Sequence, residues 1–175
     1  MKKVQITGYG GSGKTTLANN LSQKLHIPHY EIDGLFWLEN WQMKNTELFT
    51  REIGHIVATE SWIICGAYNK ILKGRIPKQA DTIVVLCYPL RIIFWRSLKR
   101  TVQRAMTHKR LWGTNYESRT NLLLRPRRTH TGIMVRKYIK NGRYYFLDRA
   151  KEFASQRSIV SFNHPKELEQ WLTDL

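Results

Sequence analysis

At 175 residues, with 42% hydrophobic and 24% charged content, the chain suits one globular domain with a real core, and it holds neither internal repeats nor a low-complexity tract. Its longest apolar run, Thr82 to Trp95, is cut by Pro89 and Arg91, which excludes a membrane-spanning helix there. The formal charge of +16 is concentrated: between Arg91 and Lys151 seventeen Lys or Arg stand against two acids, Glu117 and Asp148, a field that attracts polyanions such as a nucleotide triphosphate, a second phosphorylated substrate or a nucleic acid.

Val4-Gln5-Ile6-Thr7 predicts a short strand. The next eight residues, Gly8-Tyr9-Gly10-Gly11-Ser12-Gly13-Lys14-Thr15, fit the phosphate-loop pattern G-x-x-x-x-G-K-[ST] without mismatch. Thr16 to Leu25 predicts a helix, with Leu17, Leu21 and Leu25 at i, i+4 and i+8. Strand, glycine loop and helix in that order is the setting the chemistry needs. Backbone N–H groups turn inward around an anion, which glycines permit, and the loop opens the positive end of the helix dipole. The expected nucleotide contacts are Gly8, Gly10, Gly11, Ser12, Gly13, Lys14, Thr15 and Thr16. Lys14 supplies a mobile cation for the outer phosphates, and the Thr15 hydroxyl a ligand for Mg²⁺.

Further along, Pro28 to Ile32 predicts a second strand that ends at Asp33-Gly34. Asn45 can cap a helix from Thr46 to about Glu60, with Leu48, Ile53, Ile56 and Val57 on its apolar side. Trp62 to Cys65 and Thr82 to Cys87 read as strands buried on both faces, separated by a short connection with one helical turn. Leu90 to about Met106 predicts a long helix whose core side is Ile93, Phe94, Leu98, Val102 and Ala105 or Met106. Thr107 to Gly132 shows no apolar period and reads as a basic lid. Ile133 to about Ala154 is helical with an interruption at Asn141-Gly142, Ser158 to Phe162 a fifth strand, and Pro165 to Leu172 a closing helix. Alternating strands and helices imply one three-layer α/β domain over residues 1–175, a five-stranded parallel sheet with a lid at about 107–132. A strand beginning at residue 4, and two cysteines read as buried core thiols, set the expectation of a cytoplasmic protein without a signal peptide.

Ligands in such folds gather at the carboxyl ends of the strands. That predicts one site lined by the phosphate loop, Asp33, Cys65-Gly66, the end of the fourth strand and Asn163-His164. Asp33 can orient an acceptor hydroxyl, take its proton or hold a Mg²⁺-bound water; alternatively it opens a turn before Gly34. Arg96, Arg100 and Arg104 are spaced by four and follow Arg91, and no acid interleaves them from Leu90 to Leu111. They read either as a solvated face or as clamps on a transferring phosphoryl group, with Arg110, Arg119, Arg125, Arg127 and Arg128 closing from the lid. Trp37 and Trp41 either wall an aromatic acceptor or cover the core edge. The six histidines show no metal-ligand spacing.

The phosphate loop, Ile32-Asp33-Gly34-Leu35-Phe36-Trp37 with Trp41, Trp62 to Tyr68, and Ala80 to Val84 together resemble the FlaR-like DNA topology modulation proteins of the adenylate and shikimate kinase-like P-loop group. The resemblance implies a nucleoside-monophosphate-kinase-like fold, ATP and Mg²⁺ as cofactors, and a lid after the fourth helix. It implies a catalytic set of Lys14, Asp33, Arg100 and Arg110, with Arg104 and Asn163 on the nucleotide, Thr15 on Mg²⁺ and Asp33 on Mg²⁺ through water. Relatives of this type often carry Asp-Gly after the third strand, where this chain has Cys65-Gly66. Either Asp33 alone organises the metal, or the activity is weak or altered. Two functions follow: an ATP-dependent phosphotransferase with an unknown acceptor, or a nucleic-acid-binding regulator on a kinase-like scaffold. No helix-turn-helix, zinc-finger or RNA-recognition signature supports the second.

Overall fold

Alternation along three central strands divides the apolar residues between two faces. The computed structural model describes residues 1–108, 110–112, 115–116, 125–153 and 157–175. Strands β1 (Lys3–Gly8), β2 (His29–Glu31), β3 (Trp62–Cys65), β4 (Thr82–Leu86) and β5 (Ser158–Phe162) form one parallel sheet in the order β2-β3-β1-β4-β5. Val4, Ile6, Ile63, Cys65, Val84 and Leu86 face one side. There they meet Leu17, Ala18 and Leu21 of α1 (Lys14–Leu25), Ile93 of α6 (Leu90–Thr107) and Met134 of α7 (His130–Asn141). Trp62, Ile64, Ile83 and Val85 face the other side. They pack on Phe49, Ile53 and Val57 of α3 (Thr46–Ala58), with Ile76 of α5 (Arg75–Gln79) and Ala150 of α8 (Tyr145–Lys151). Each such aliphatic side chain contributes about 1.5–3 kcal/mol by leaving water, so the two cores hold the sheet between its helices.

Caps fix where several helices begin. Asn45 Oδ1 accepts from the N–H of Glu47 and of Leu48 at the start of α3. Thr129 Oγ1 accepts from the Gly132 N–H at the start of α7, and His164 Nδ1 accepts from Lys166 N at α9 (Pro165–Asp174). The carboxylate of Asp81 accepts from the backbone N–H of Lys2 at 2.7 Å and of Lys3 at 2.8 Å, so it pins the first residues beside β4.

The expected sheet of five parallel strands with helices on both sides is the one observed. Several local readings are corrected. The second strand stops at Glu31, and Asp33 lies in a short helix, α2 (Ile32–Phe36), because Ile32 and Phe36 at i, i+4 both bury into the second core. The connection after β3 holds two short helices, α4 (Asn69–Leu72) and α5, rather than one turn. Helix α7 begins at His130, three residues early, at its Thr129 cap. On α6 the buried residues are Ile93, Ser97, Thr101 and Ala105, while Phe94, Leu98 and Val102 are only partly buried and Met106 is exposed. The reason is a partner: Thr131 Oγ1 of α7 lies 3.0 Å from both Ser97 Oγ and Thr101 Oγ1, so the buried stripe of α6 is small and hydroxylated.

Candidate phosphate-binding site

The loop between β1 and α1 is wedged between two helices. Gly11 has φ +85, and a Cβ there would stand 2.6 Å from the Ile93 carbonyl in the first turn of α6. A Cβ on Gly10 would stand 2.5 Å from His130 Nε2 on α7, so a side chain at Gly11 meets backbone and one at Gly10 displaces the His130 ring. Tyr9 ties the loop outward: its hydroxyl donates to the Gly142 carbonyl at 2.7 Å and its ring packs on Tyr138 and Phe146. Burial pushes that phenol up to about 12. Ser12 is buried, and its Oγ has no hydrogen-bond partner among the described residues. Lys14 opens α1 and donates from Nζ back to the Tyr9 carbonyl at 3.0 Å, so the ammonium sits over its own loop. The first turn of α1 holds no acid, and Thr15 and Thr16 are exposed there.

Positive charge converges on this loop. Arg100, Lys14, Arg104 and Lys137 all act on His130. Arg96 reaches the other end, with Nη1 3.8 Å from where a Gly13 Cβ would be and its guanidinium 5.9 Å from the centre of the Tyr88 ring. The helical arginine stripe therefore flanks the loop, with Arg91 exposed at its far end.

Across the end of β3 the chemistry turns acidic. Burial pushes the Cys65 thiol up to about 11; Glu31 and Asp33 act in the same direction, against Lys14 and a hydrogen bond from Thr15. Cys65 thus marks where the loop and the carboxylates meet, as a buried thiol and not a thiolate. Asp33 Oδ1 accepts from the Tyr68 hydroxyl at 2.7 Å. Burial and then the Asp33 charge raise the Tyr68 phenol far above its ordinary range.

A segment from the expected lid docks on this acidic side. Trp112 Nε1 donates to Glu31 Oε2 at 3.3 Å, and the indole covers Gly34. Asn115 is buried; its Oδ1 accepts from the Trp41 N–H at 2.6 Å and its Nδ2 donates to the Leu38 carbonyl at 2.9 Å. Trp37, Trp41 and Trp112 follow edge to face, with centroids 5.8 and 5.7 Å apart. Trp37 also packs on Phe36, so it covers the core edge, whereas Trp41 faces the docked segment.

Of the expected site residues, the loop glycines, Ser12, Lys14, Thr15, Arg100, Arg104 and Asp33 come together around the ends of β1 and β3. Arg110 belongs to the docked segment, where Nε donates to the Tyr116 hydroxyl at 2.9 Å. Asn163 is exposed and accepts from Arg143, which also donates to the Cys87 carbonyl at 2.7 Å. Arg125, Arg127 and Arg128 are exposed. Arg119 and Gly113 lie outside the described residues, as does much of the expected lid. Sequence reasoning missed His130, Tyr68, Trp112 and Arg143. Tyr68 alone had a signal, three residues beyond a strand end that was expected to line the site. The cysteines are free and buried, and no cluster of metal-ligating side chains occurs among the described residues.

No protein-family model matches the chain, and no curated protein matches its sequence. Solved structures do. A shikimate kinase from Acinetobacter baumannii in complex with shikimate aligns with a TM-score of 0.56 over 99% of this chain and 94% of that one, at 13% identity. This chain shares the fold of that shikimate kinase, a five-stranded parallel sheet with helices on both sides. A shikimate kinase from Bacteroides thetaiotaomicron shares it, with a TM-score of 0.51 over 91% of this chain and 85% of that one, at 18% identity. A gluconokinase from Sinorhizobium meliloti 1021 aligns over 58% of this chain and 66% of that one at 18% identity, with a TM-score of 0.44. At these identities the kinase-type P-loop likeness is one of fold.

Proposed function

We propose that this chain is an ATP-dependent phosphotransferase that passes the γ-phosphoryl group to a hydroxyl of a small-molecule acceptor. The observation that carries the reading is a phosphate loop with Lys14 held over it in a field of arginines, facing Asp33 across the end of β3. The residues fit a triphosphate: a loop carrying Gly8, Gly10, Gly11 and Gly13, a Ser12 hydroxyl with no partner among the described residues and a helix start without acids. They also fit Mg²⁺, because the Thr15 hydroxyl and the Asp33 carboxylate are hard oxygen donors, whereas the protonated Cys65 contributes none. When bound, Mg²⁺ neutralises charge between the outer phosphates.

Lys14 leaves the Tyr9 carbonyl for an outer phosphate oxygen. Arg100 and Arg104 stabilise the charge that spreads over the transferring oxygens. Tyr68 occupies one oxygen of Asp33, which leaves the other to accept the proton of the acceptor hydroxyl. The acceptor oxygen forms a bond to phosphorus as the bond to the β-phosphate oxygen breaks, and ADP leaves. Asn163, beside Arg143, borders the adenine. The narrower likeness to DNA topology modulation proteins rests on the residue segments alone. Two free buried thiols fit a reducing cytoplasm.

Calorimetry with Mg–ATP tests the reading. Lys14→Ala is expected to weaken binding by at least ~1–3 kcal/mol, the scale of a charged hydrogen bond. Equal affinity in wild type and mutant would sink the assignment.

A further inference from the structure

His130 opens α7 immediately after its Thr129 cap and presses on the phosphate loop, where a side chain on Gly10 would displace its ring. Its Nε2 is buried and has no hydrogen-bond partner among the described residues. The charged groups that act on it come from three helices: Arg100 and Arg104 from α6, Lys14 from α1 and Lys137 from α7 itself. All four are cations. An Nε2 placed so has nothing to bond to among the described residues, while the loop beside it is built to hold an anion.

We propose that His130 is a triphosphate-binding residue of this site: a triphosphate seated on the loop supplies the counter-charge, the imidazole takes a proton from solvent, and Nε2–H donates to a phosphate oxygen. The inference rests on the phosphotransferase reading above and adds a residue and a proton to it. Burial holds His130 down to about 3, with Arg100, Lys14, Arg104 and Lys137 acting the same way, so the ring is neutral at pH 7 before the anion arrives. A triphosphate offsets those cations at the place where they act on the ring, and the pKa rises on binding. The sign follows: binding consumes a proton, and affinity falls as pH rises through the pKa of the bound state, by at most tenfold per pH unit.

The test is calorimetry of Mg–ATP binding at pH 6 to 8 in buffers of different ionisation heat, with wild type, His130→Gln and His130→Arg. Protons belonging to the nucleotide are common to all three proteins and cancel in the differences. Wild type is expected to take up close to one proton more than either variant at the acid end of the range. His130→Gln is expected to bind roughly tenfold more weakly there, the scale of one charge-assisted hydrogen bond. His130→Arg carries a fixed charge, so it should restore affinity without proton uptake. In wild type labelled at histidine Cε1, the His130 signal, assigned by its absence from the variants, should move to the imidazolium position when Mg–ATP is added. Equal proton uptake in all three proteins, or an unmoved His130 signal in a protein that binds Mg–ATP, overturns the role of His130 and leaves the phosphotransferase reading standing. Absence of any Mg–ATP binding to wild type overturns both.

Discussion

Tyr68 sits at φ +43, a left-handed conformation that a bulky residue adopts only when its surroundings hold it, and its hydroxyl is spent on Asp33. Strain and a charge-assisted bond at one residue point to a carboxylate that must not move. Of the two acids near Cys65, Glu31 already accepts from Trp112, and Asp33 keeps one oxygen not bonded to Tyr68. Asp33→Asn is therefore expected to leave ATP affinity measured without Mg²⁺ nearly intact and to cut phosphotransfer by roughly 10²-fold or more, the scale of a positioned general base. Tyr68→Phe should cost less, because it loosens the carboxylate without removing it. ADP release measured against a panel of hydroxylated acceptors reads both. Turnover of Asp33→Asn within a few-fold of wild type would reduce Asp33 to a helix residue with a structural bond.

Helices α6 and α7 share the first core and also meet through buried hydroxyls, and this joint aims His130 at the loop. Thr131 Oγ1 bridges Ser97 and Thr101, all three residues being buried. Thr131→Val keeps the shape and removes both bonds, which strands two buried hydroxyls. The expected loss is about 1–3 kcal/mol of stability, read as a lower melting temperature, with weaker Mg–ATP binding as His130 loses its support. A melting temperature equal to wild type would show that the joint is held by packing alone. The same joint shows where the sequence stopped being legible. Strands β1, β3 and β4 were readable because alternation and apolar runs report burial directly, and the phosphate loop was readable because its chemistry is local in the chain. Ser97 and Thr101 were not, because a hydroxyl buried against another hydroxyl carries the same letter as one facing water. His130 and Trp112 were hidden for a related reason: their partners, Gly10 and Gly34, lie far back in the chain and contribute no side chain to a pattern. The place of Asp33 just beyond the second strand puts it in the crevice, but the helix that carries it depends on Ile32 and Phe36 finding the second core.

Taken as a whole, the molecule divides its positive charge between two places. Lys14, Arg100 and Arg104 stand half-buried at the loop with the exposed Arg96 beside them, while Arg91, Lys99, Arg127, Arg128, Arg136 and Lys140 are also exposed to solvent. The first group is local and next to buried polar atoms of Ser12 and His130 that have no hydrogen-bond partner among the described residues; a triphosphate answers both the charge and the missing bonds. The exposed group offers charge alone, which attracts any polyanion and selects none. Like charges gathered at the joint of α6 and α7 repel until an anion is seated between them, so nucleotide binding should tighten that joint. Hydrogen exchange is expected to slow on adding Mg–ATP across Arg96 to Thr107 and His130 to Lys137, and to stay nearly unchanged in α3, on the opposite face of the sheet. Duplex DNA supplies the contrast: its binding should be weak at physiological salt and fall steeply as salt rises, with no protection of the joint. Unchanged exchange with nucleotide, together with tight and salt-resistant DNA binding, would move the function from the loop to the outer surface and make the kinase-like scaffold a platform for nucleic acid.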